Sequence, residues 1–271
     1  MVKAAKSRIG SDGRPNGDAL RMLGVNISRL SLREITSQTI STILHRDRCI
    51  TFACANPHSL VIAQSDSKFY NALNDCVFVT PDGSGVVLLG RVLCYGVGER
   101  ITGMDYFASV MSALDQSGGG KVFFLGSTDK VLNRIKHRIL REYPNLRSVG
   151  VLSPPFGEWS AEEAGDIRRK IRDFSPDILW VGMTAPKQEK WIHENISSLD
   201  VPVVGAIGAV FDYYARTNRR APLWARRLGL EWLFRLIKEP RRLWRRNFIS
   251  SPVFIVLLLL ERFGLYRCRY Q

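Results

Sequence analysis

The stretch Ile178–Ala206, ILWVGMTAPKQEKWIHENISSLDVPVVGA, decides the fold. It opens on a short apolar run, Ile178–Val181, and closes on another, Val201–Ala206. Between them Lys187–Leu199 carries apolar residues at helical spacing. Strand, crossover helix and strand in that order place the two strands parallel, and their unbroken apolar character marks them as buried on both faces. Working outward, the same alternation recurs. Ile50–Cys54, Cys76–Thr80 and Val122–Leu125 are predicted strands. Lys68–Leu73, Gly83–Leu93, Met104–Gln116, Asp129–Tyr143 and Ala161–Phe174 are predicted helices, and Leu30–His45 is a further one after a short first strand near Met22–Val25. The pattern predicts an α/β fold, a largely parallel sheet with helices on both faces.

Charge divides the chain. Its 271 residues hold 39 Lys and Arg against 25 Asp and Glu, a net +14. Residues 201–271 carry 14 of the basic and 4 of the acidic side chains, net +10, which leaves +4 for residues 1–200. From Ala221 the strand pattern stops. At 100° per residue, Arg235, Lys238, Arg241, Arg242, Arg245 and Arg246 share one side of a helix. Trp232, Leu233, Leu236, Ile237, Leu243 and Trp244 share the other, and Pro240 starts a second helix or kinks the first. The expected organisation is a disordered tail over 1–20, an α/β body over 21–220 and a basic amphipathic helical appendage over 221–271. The five cysteines form no CxxC, so a reducing compartment is expected. Residues 1–20 lack the apolar run of roughly 7–15 residues that a secretory signal needs. The longest apolar run, Val253–Leu260, is eight residues, against about 20 for a membrane-spanning helix. A cytoplasmic protein that works at a membrane surface fits these features.

Polar residues cluster where the predicted strands end, the place at which open parallel sheets bind ligands and helix N-termini attract anions. Cys54-Ala-Asn-Pro-His-Ser59 offers Asn56 and His58, although Asn56 or Ser59 serves equally as a helix cap and His58 as a satisfied surface residue. Thr80-Pro-Asp-Gly-Ser-Gly85 presents Asp82, a carboxylate able to accept a proton from a hydroxyl nucleophile or, more plainly, a turn residue before glycine. Glu99-Arg-Ile-Thr-Gly103 contributes Arg100 and Thr102. Gly126 and Ser127, Gly182 through Lys187 and Gln188, and Gly208 before Phe211 and Asp212 end the later strands. Neither G-x-G-x-x-G nor a P-loop is present, which argues against a dehydrogenase or kinase. The four histidines are isolated, and no HExxH or D-x-D occurs, so no metal or other cofactor is expected.

Taken together, these segments resemble the WecG/TagA/CpsF family, glycosyltransferase family 26, bacterial enzymes that extend lipid-linked saccharides. The resemblance runs from about Leu23 to Phe248. It is carried by Asn56, PDGSG at 81–85, ERITG at 99–103, LGS at 125–127, APKQE at 185–189, GAIGAVFD at 205–212, RRAP at 219–222, GLEWLFRL at 229–236 and EPRRLWRR at 239–246. It implies a Rossmann-like body of the GT-E type. It also implies an inverting, metal-independent transfer of a hexosyl unit, glucose or N-acetylmannosamine, from a UDP-sugar to a polyprenyl-diphosphate-linked sugar in cell-surface or exopolysaccharide synthesis. In that scheme Asp82 is the catalytic base, and Asn56, His58, Arg100, Thr102 and Gln188 bind substrate. Arg235, Arg242 and Arg245 meet a diphosphate, and Gly126, Ser127, Gly182, Lys187, Gly208, Phe211 and Asp212 hold the nucleotide. Cys54 stands where many members have Thr, so no role for that Thr carries over. The CANPHS variant resembles exopolysaccharide β-glucosyltransferases of the xanthan and acetan type.

The implied location is the cytoplasmic face of the inner membrane, held peripherally by the basic appendage on anionic lipid. A homo-oligomer is left open by periodicity. A nucleic-acid-binding protein would use the same arginines and tryptophans, but they share a helix with a broad apolar side and no nucleic-acid motif accompanies them. The remaining alternative is a non-catalytic nucleotide-binding or membrane scaffold protein.

Overall fold

The computed structural model describes residues 3–4, 17–217, 221–222, 225 and 231–270. In chain order the elements are β1 (Lys3–Ala4), β2 (Ala19–Met22), β3 (Val25–Ser28), α1 (Leu32–His45), β4 (Arg48–Ala55), α2 (Pro57–Ala63), α3 (Ser67–Asn74), β5 (Phe78–Pro81), α4 (Ser84–Val92) and α5 (Gly103–Gln116). There follow β6 (Lys121–Gly126), α6 (Asp129–Glu142), β7 (Ser148–Leu152), α7 (Ala161–Phe174), β8 (Ile178–Gly182), α8 (Lys187–Asn195), β9 (Val203–Ala206) and α9 (Val210–Tyr214). The C-terminal segment adds helices Glu231–Lys238 and Pro240–Arg245, the second continuing through a π-helical turn, Arg246–Ser250, into Ser251–Arg262. The expected tail over 1–20 lies mostly outside the described residues, as do 218–220, where the boundary with the appendage was expected.

Six strands pair in the order β5-β4-β9-β8-β6-β7, every pair parallel, and β1 adds a short parallel pairing at the start of β4. Helices cover both faces, as the alternation of short apolar runs and amphipathic segments predicts. On one face Ala53, Val79, Leu179, Val181 and Val204 meet Leu60, Phe69, Ile171 and Trp191. On the other Phe52, Phe124, Trp180 and Val203 meet Ile35, Tyr106, Phe107, Ile135 and Phe211. Trp180 fits because its register partner across the sheet is Gly205, where an added Cβ would come within 2.4 Å of the indole.

Three elements depart from the sequence expectation. The strand expected near Met22–Val25 is the tip of an antiparallel hairpin, β2–β3, whose turn residues Leu23 and Gly24 have φ of 48° and 78°. Two positive φ angles are what a two-residue hairpin turn with the strand twist needs. Strand β7 was not expected at all. It is an edge strand with little continuous apolar character, and Gly150 interrupts it because a Cβ there would lie 2.4 Å from the Phe123 ring. Helix α8 stops at Asn195 and passes into a 3-10 turn, Ile196–Ser198.

The C-terminal helix is fastened along the body. Phe254 and Leu258 are fully buried in the same core cluster as Leu60 and Ala63 of α2. Glu261 accepts hydrogen bonds from the Leu23 N–H (2.9 Å) and the Tyr95 hydroxyl (2.8 Å), and Arg262 Nε donates to the Leu93 carbonyl (3.0 Å). Further on, Tyr266 donates to Gln64 Oε1 (3.0 Å) and Cys268 is buried against Gly24. Pro240 occupies the first turn of its helix, one of the two expected outcomes. Of the apolar side of the wheel, Leu243 is buried, whereas Trp232, Leu233, Ile237 and Trp244 are exposed. Residues Leu243–Arg262 form a 20-residue helix whose most apolar 18-residue stretch has mean hydropathy 1.4, long and apolar enough by length and composition to cross a membrane. The eight-residue apolar run understated it because Asn247, Ser250, Ser251 and Pro252 interrupt the run without interrupting the helix. Its docking through Phe254, Leu258 and Glu261 holds it against the protein surface.

Candidate functional site

A cleft of about 1080 Å³ opens beyond the carboxyl ends of the strands, walled on one side by the C-terminal helix. The first residues of α2, α4, α5 and α8 are among those that line it, so helix N-termini with their partial positive charge converge there. Two of these helices, α4 and α8, start without a side-chain cap.

Each predicted residue reaches the cleft by a local device. The Asp82 N–H donates to the Ala55 carbonyl at 2.7 Å, extending the β4–β5 ladder by one bond and setting Asp82 at the cleft. Gly83, with φ of 105°, turns the chain directly into α4. The Ile101 N–H donates to the Pro81 carbonyl at 3.2 Å, which lays Arg100 and Thr102 beside the end of β5. Asn56 does cap α2, accepting from the Ser59 N–H at 3.1 Å, and it lines the cleft as well. His58 Nδ1 hydrogen-bonds Ser250 Oγ at 2.8 Å, joining α2 to the C-terminal helix. Burial, and after it the Arg246 charge, holds His58 below its usual range, so the ring is neutral near pH 7. The Thr102 hydroxyl caps α5, accepting from the Asp105 N–H at 3.3 Å, and donates to the Asp105 carboxylate at 2.7 Å.

Glycines let the walls close up. Gly126 has φ of 118°, and a Cβ there would lie 2.6 Å from the Gly182 carbonyl oxygen. A Cβ on Gly182 would lie 2.4 Å from the Phe211 ring, and one on Gly208 3.4 Å from Gln188 Oε1. Asp212 accepts from the Thr217 hydroxyl at 3.4 Å. Lys187 donates to the Gly157 carbonyl and stands 4.6 Å from the Trp159 ring centroid, so its ammonium steadies the loop after β7.

Every predicted site residue except two lines this one cleft, Arg245 included. The side chains of Arg235 and Arg242 lie outside the described residues. Sequence reasoning missed three others. Arg246 lines the cleft beside Arg245. Phe156, 85% exposed, stands on the rim between Pro155 and Gly157. Its Pro-Pro-Phe-Gly setting was the available signal. Glu189 is a buried carboxyl that burial raises to about 7, while its bond from Gln188 pulls the other way. The Cys54 thiol is held well above its usual range, first by burial and then by the Asp82 charge, and so stays protonated. Among the described residues no three His, Cys, Asp or Glu side chains come together as a metal site.

Such a cleft, bordered by helix N-termini and arginines beyond the strand ends of an α/β sheet, is suited to a phosphorylated ligand. The chain belongs to the WecG/TagA/CpsF family of glycosyl transferases, whose family model matches residues 20–268. It is 30% identical over 206 residues to a protein of Bacillus subtilis, covering 76% of this chain and 77% of that one. It is 28% identical over 228 residues to one of Bacillus spizizenii (84% and 86%) and 26% identical over 243 residues to one of Staphylococcus aureus (89% and 92%). All three relatives are named N-acetylglucosaminyldiphosphoundecaprenol N-acetyl-beta-D-mannosaminyltransferase.

Proposed function

We propose that this chain transfers a hexosyl unit from a UDP-sugar to a polyprenyl-diphosphate-linked sugar, with inversion and without a metal, at the cytoplasmic face of a membrane. The observation that carries it is the convergence of Asp82, Asn56, Arg100 and Gln188 in a cleft one of whose walls is an arginine-bearing, partly apolar helix. Asp82 takes the proton of the acceptor hydroxyl as its oxygen forms the new bond to the anomeric carbon. The bond from that carbon to the diphosphate breaks, and UDP leaves with the electron pair from the opposite face. Helix N-termini and guanidinium groups stabilise its charge. Arg245 and Arg246 stand where the diphosphate of a lipid-linked acceptor would reach the cleft. The exposed Phe248, Ile255, Val256 and Leu259 lie along the same helix and suit the interface of a bilayer. The relatives' names make N-acetylmannosamine the first donor to try, and the Cys54 variant makes glucose the second.

The test is product formation from UDP-N-acetylmannosamine, UDP-glucose, UDP-galactose and UDP-glucuronate with polyprenyl-diphosphate-sugar acceptors, with and without EDTA. Transfer from one donor that survives EDTA is the expected result. No transfer from any donor by folded protein overturns the reading in favour of a non-catalytic nucleotide-binding protein.

A further inference from the structure

Two polar atoms at the cleft floor have no hydrogen-bond partner among the described residues. Gln188 and Glu189 are 5% and 3% exposed, and both line the cleft. Gln188 Nε2 donates to Glu189 Oε1 at 2.8 Å. The other halves of the pair, Gln188 Oε1 and Glu189 Oε2, are buried and find no hydrogen-bond partner among the described residues. Folded chains rarely leave such atoms unpaired, because each has given up its bonds to water without replacement. Apolar residues of similar volume at both positions would remove that cost, so stability does not account for the pair.

Position narrows the role. Asp82 ends β5 at one side of the cleft, while Ser127 and Phe156 follow β6 and β7 at the other. Gln188 and Glu189 follow β8, between the two, and Glu189 is near enough for its charge to act on the Cys54 thiol at the end of β4, as the Asp82 charge does. If the acceptor hydroxyl lies at Asp82 and the nucleotide at the far side, the ring being transferred occupies the middle.

We propose that Gln188 and Glu189 read the transferred hexosyl ring, Gln188 Oε1 and Glu189 Oε2 each taking one of its polar substituents as a hydrogen-bond partner while Glu189 Oε1 fixes the orientation of the Gln188 amide. This rests on the donor reading given above. Both atoms are shut off from solvent, so the side chains turn up into the cleft as the sugar arrives, a movement favoured by the bonds they gain. A ring hydroxyl donates to a carboxylate and accepts from a carboxylic acid, so the contact survives either protonation state of Glu189.

Calorimetric titration of the full chain with UDP, UDP-glucose and UDP-N-acetylmannosamine, for wild type, Glu189→Met, Gln188→Met and Glu189→Gln, tests this, with Tm recorded at pH 8. Glu189→Met is expected to bind UDP as wild type does and to bind the preferred UDP-sugar about 10- to 100-fold more weakly. Gln188→Met should show the same split between UDP and UDP-sugar, and Glu189→Gln should recover most of the sugar affinity. Wild-type sugar affinity in both methionine variants overturns the proposal. An equal loss for UDP and UDP-sugar puts the contact on the ribose and overturns the hexosyl assignment. If Glu189→Met does not fold, Gln188→Met carries the comparison. Wild type that binds none of the three probes overturns the donor reading itself, so the two failures are told apart.

Discussion

Replacing Glu189 by Gln changes how stability depends on pH, by an amount that follows from burial. Burial raises the Glu189 carboxyl from 4.5 to about 7, even though the bond from Gln188 favours the charged form. The folded chain therefore holds this proton more tightly than the unfolded chain does. The contribution to stability is fully present below about pH 4.5 and is lost as pH rises through about 7. At about 1.4 kcal/mol for each tenfold change in proton affinity, the rise from 4.5 to about 7 corresponds to a loss on the order of 3 kcal/mol. Glutamine keeps the size of the side chain and has no proton to lose. Urea denaturation of both proteins, followed by tryptophan fluorescence between pH 4.5 and 8.5, should show Glu189→Gln gaining on wild type by that amount across the interval. Other titratable groups are common to both proteins and cancel. Stability curves that stay parallel within about 0.5 kcal/mol would refute the argument, because they would mean that the carboxyl ionises as freely inside the fold as outside it.

Asp82→Asn should lower turnover by about 10²- to 10⁴-fold while leaving Tm in place; near-normal turnover removes Asp82 as the base. Gly182→Ala drives a Cβ to within 2.4 Å of the Phe211 ring, so it should cost about 1–3 kcal/mol and weaken UDP binding, and unchanged melting and affinity would show that the ring yields freely. Exchanging exposed Arg241 and Arg245 for Glu should cut sedimentation with anionic vesicles, since each basic residue near such a surface contributes about 1 kcal/mol; equal sedimentation would leave the membrane reading without its charge term.

Legibility followed burial. Strands β4, β5, β6, β8 and β9 are covered on both faces, so each appears in the sequence as an unbroken apolar run. Strand β7 lies at the sheet edge and trades side chains for Gly150, and its run dissolves. Met22-Leu-Gly-Val25 misleads in the opposite sense. It is apolar because Leu23 is buried, yet it is the turn of a hairpin, with its Leu23 N–H held by Glu261 from 238 residues away. The site was legible because strand ends collect polar and glycine residues for a topological reason, and those residues do meet in one cleft. Glu189 was not legible. On α8 it looks like any acidic residue of a first helical turn, and only its burial distinguishes it.

The C-terminal helix limits how the membrane reading can be tested. Phe254 and Leu258 point into the body while Ile255 and Leu259, one position further along, are exposed. Ser250 meanwhile holds His58 at the cleft. One helix thus supplies core, cleft wall and exposed apolar surface at successive positions. Losing a buried Phe costs about 3–5 kcal/mol and a buried Leu about 2–5, against a total of about 5–15 for an ordinary domain. Deleting residues 221–271 removes both, together with the Glu261 and Tyr266 bonds and the buried Cys268. The shortened chain should fail to fold cooperatively, and its failure to bind vesicles would carry no information about membranes. A cooperative melt of the shortened chain near the wild-type Tm would refute this, showing that the body is complete without its last helix. Exchange of exposed Ile255, Val256 and Leu259 for Ser leaves Phe254 and Leu258 in place, so it separates the two roles. It should keep Tm within a few degrees and lower vesicle binding, and a large fall in Tm would mean that the exposed row also supports the fold.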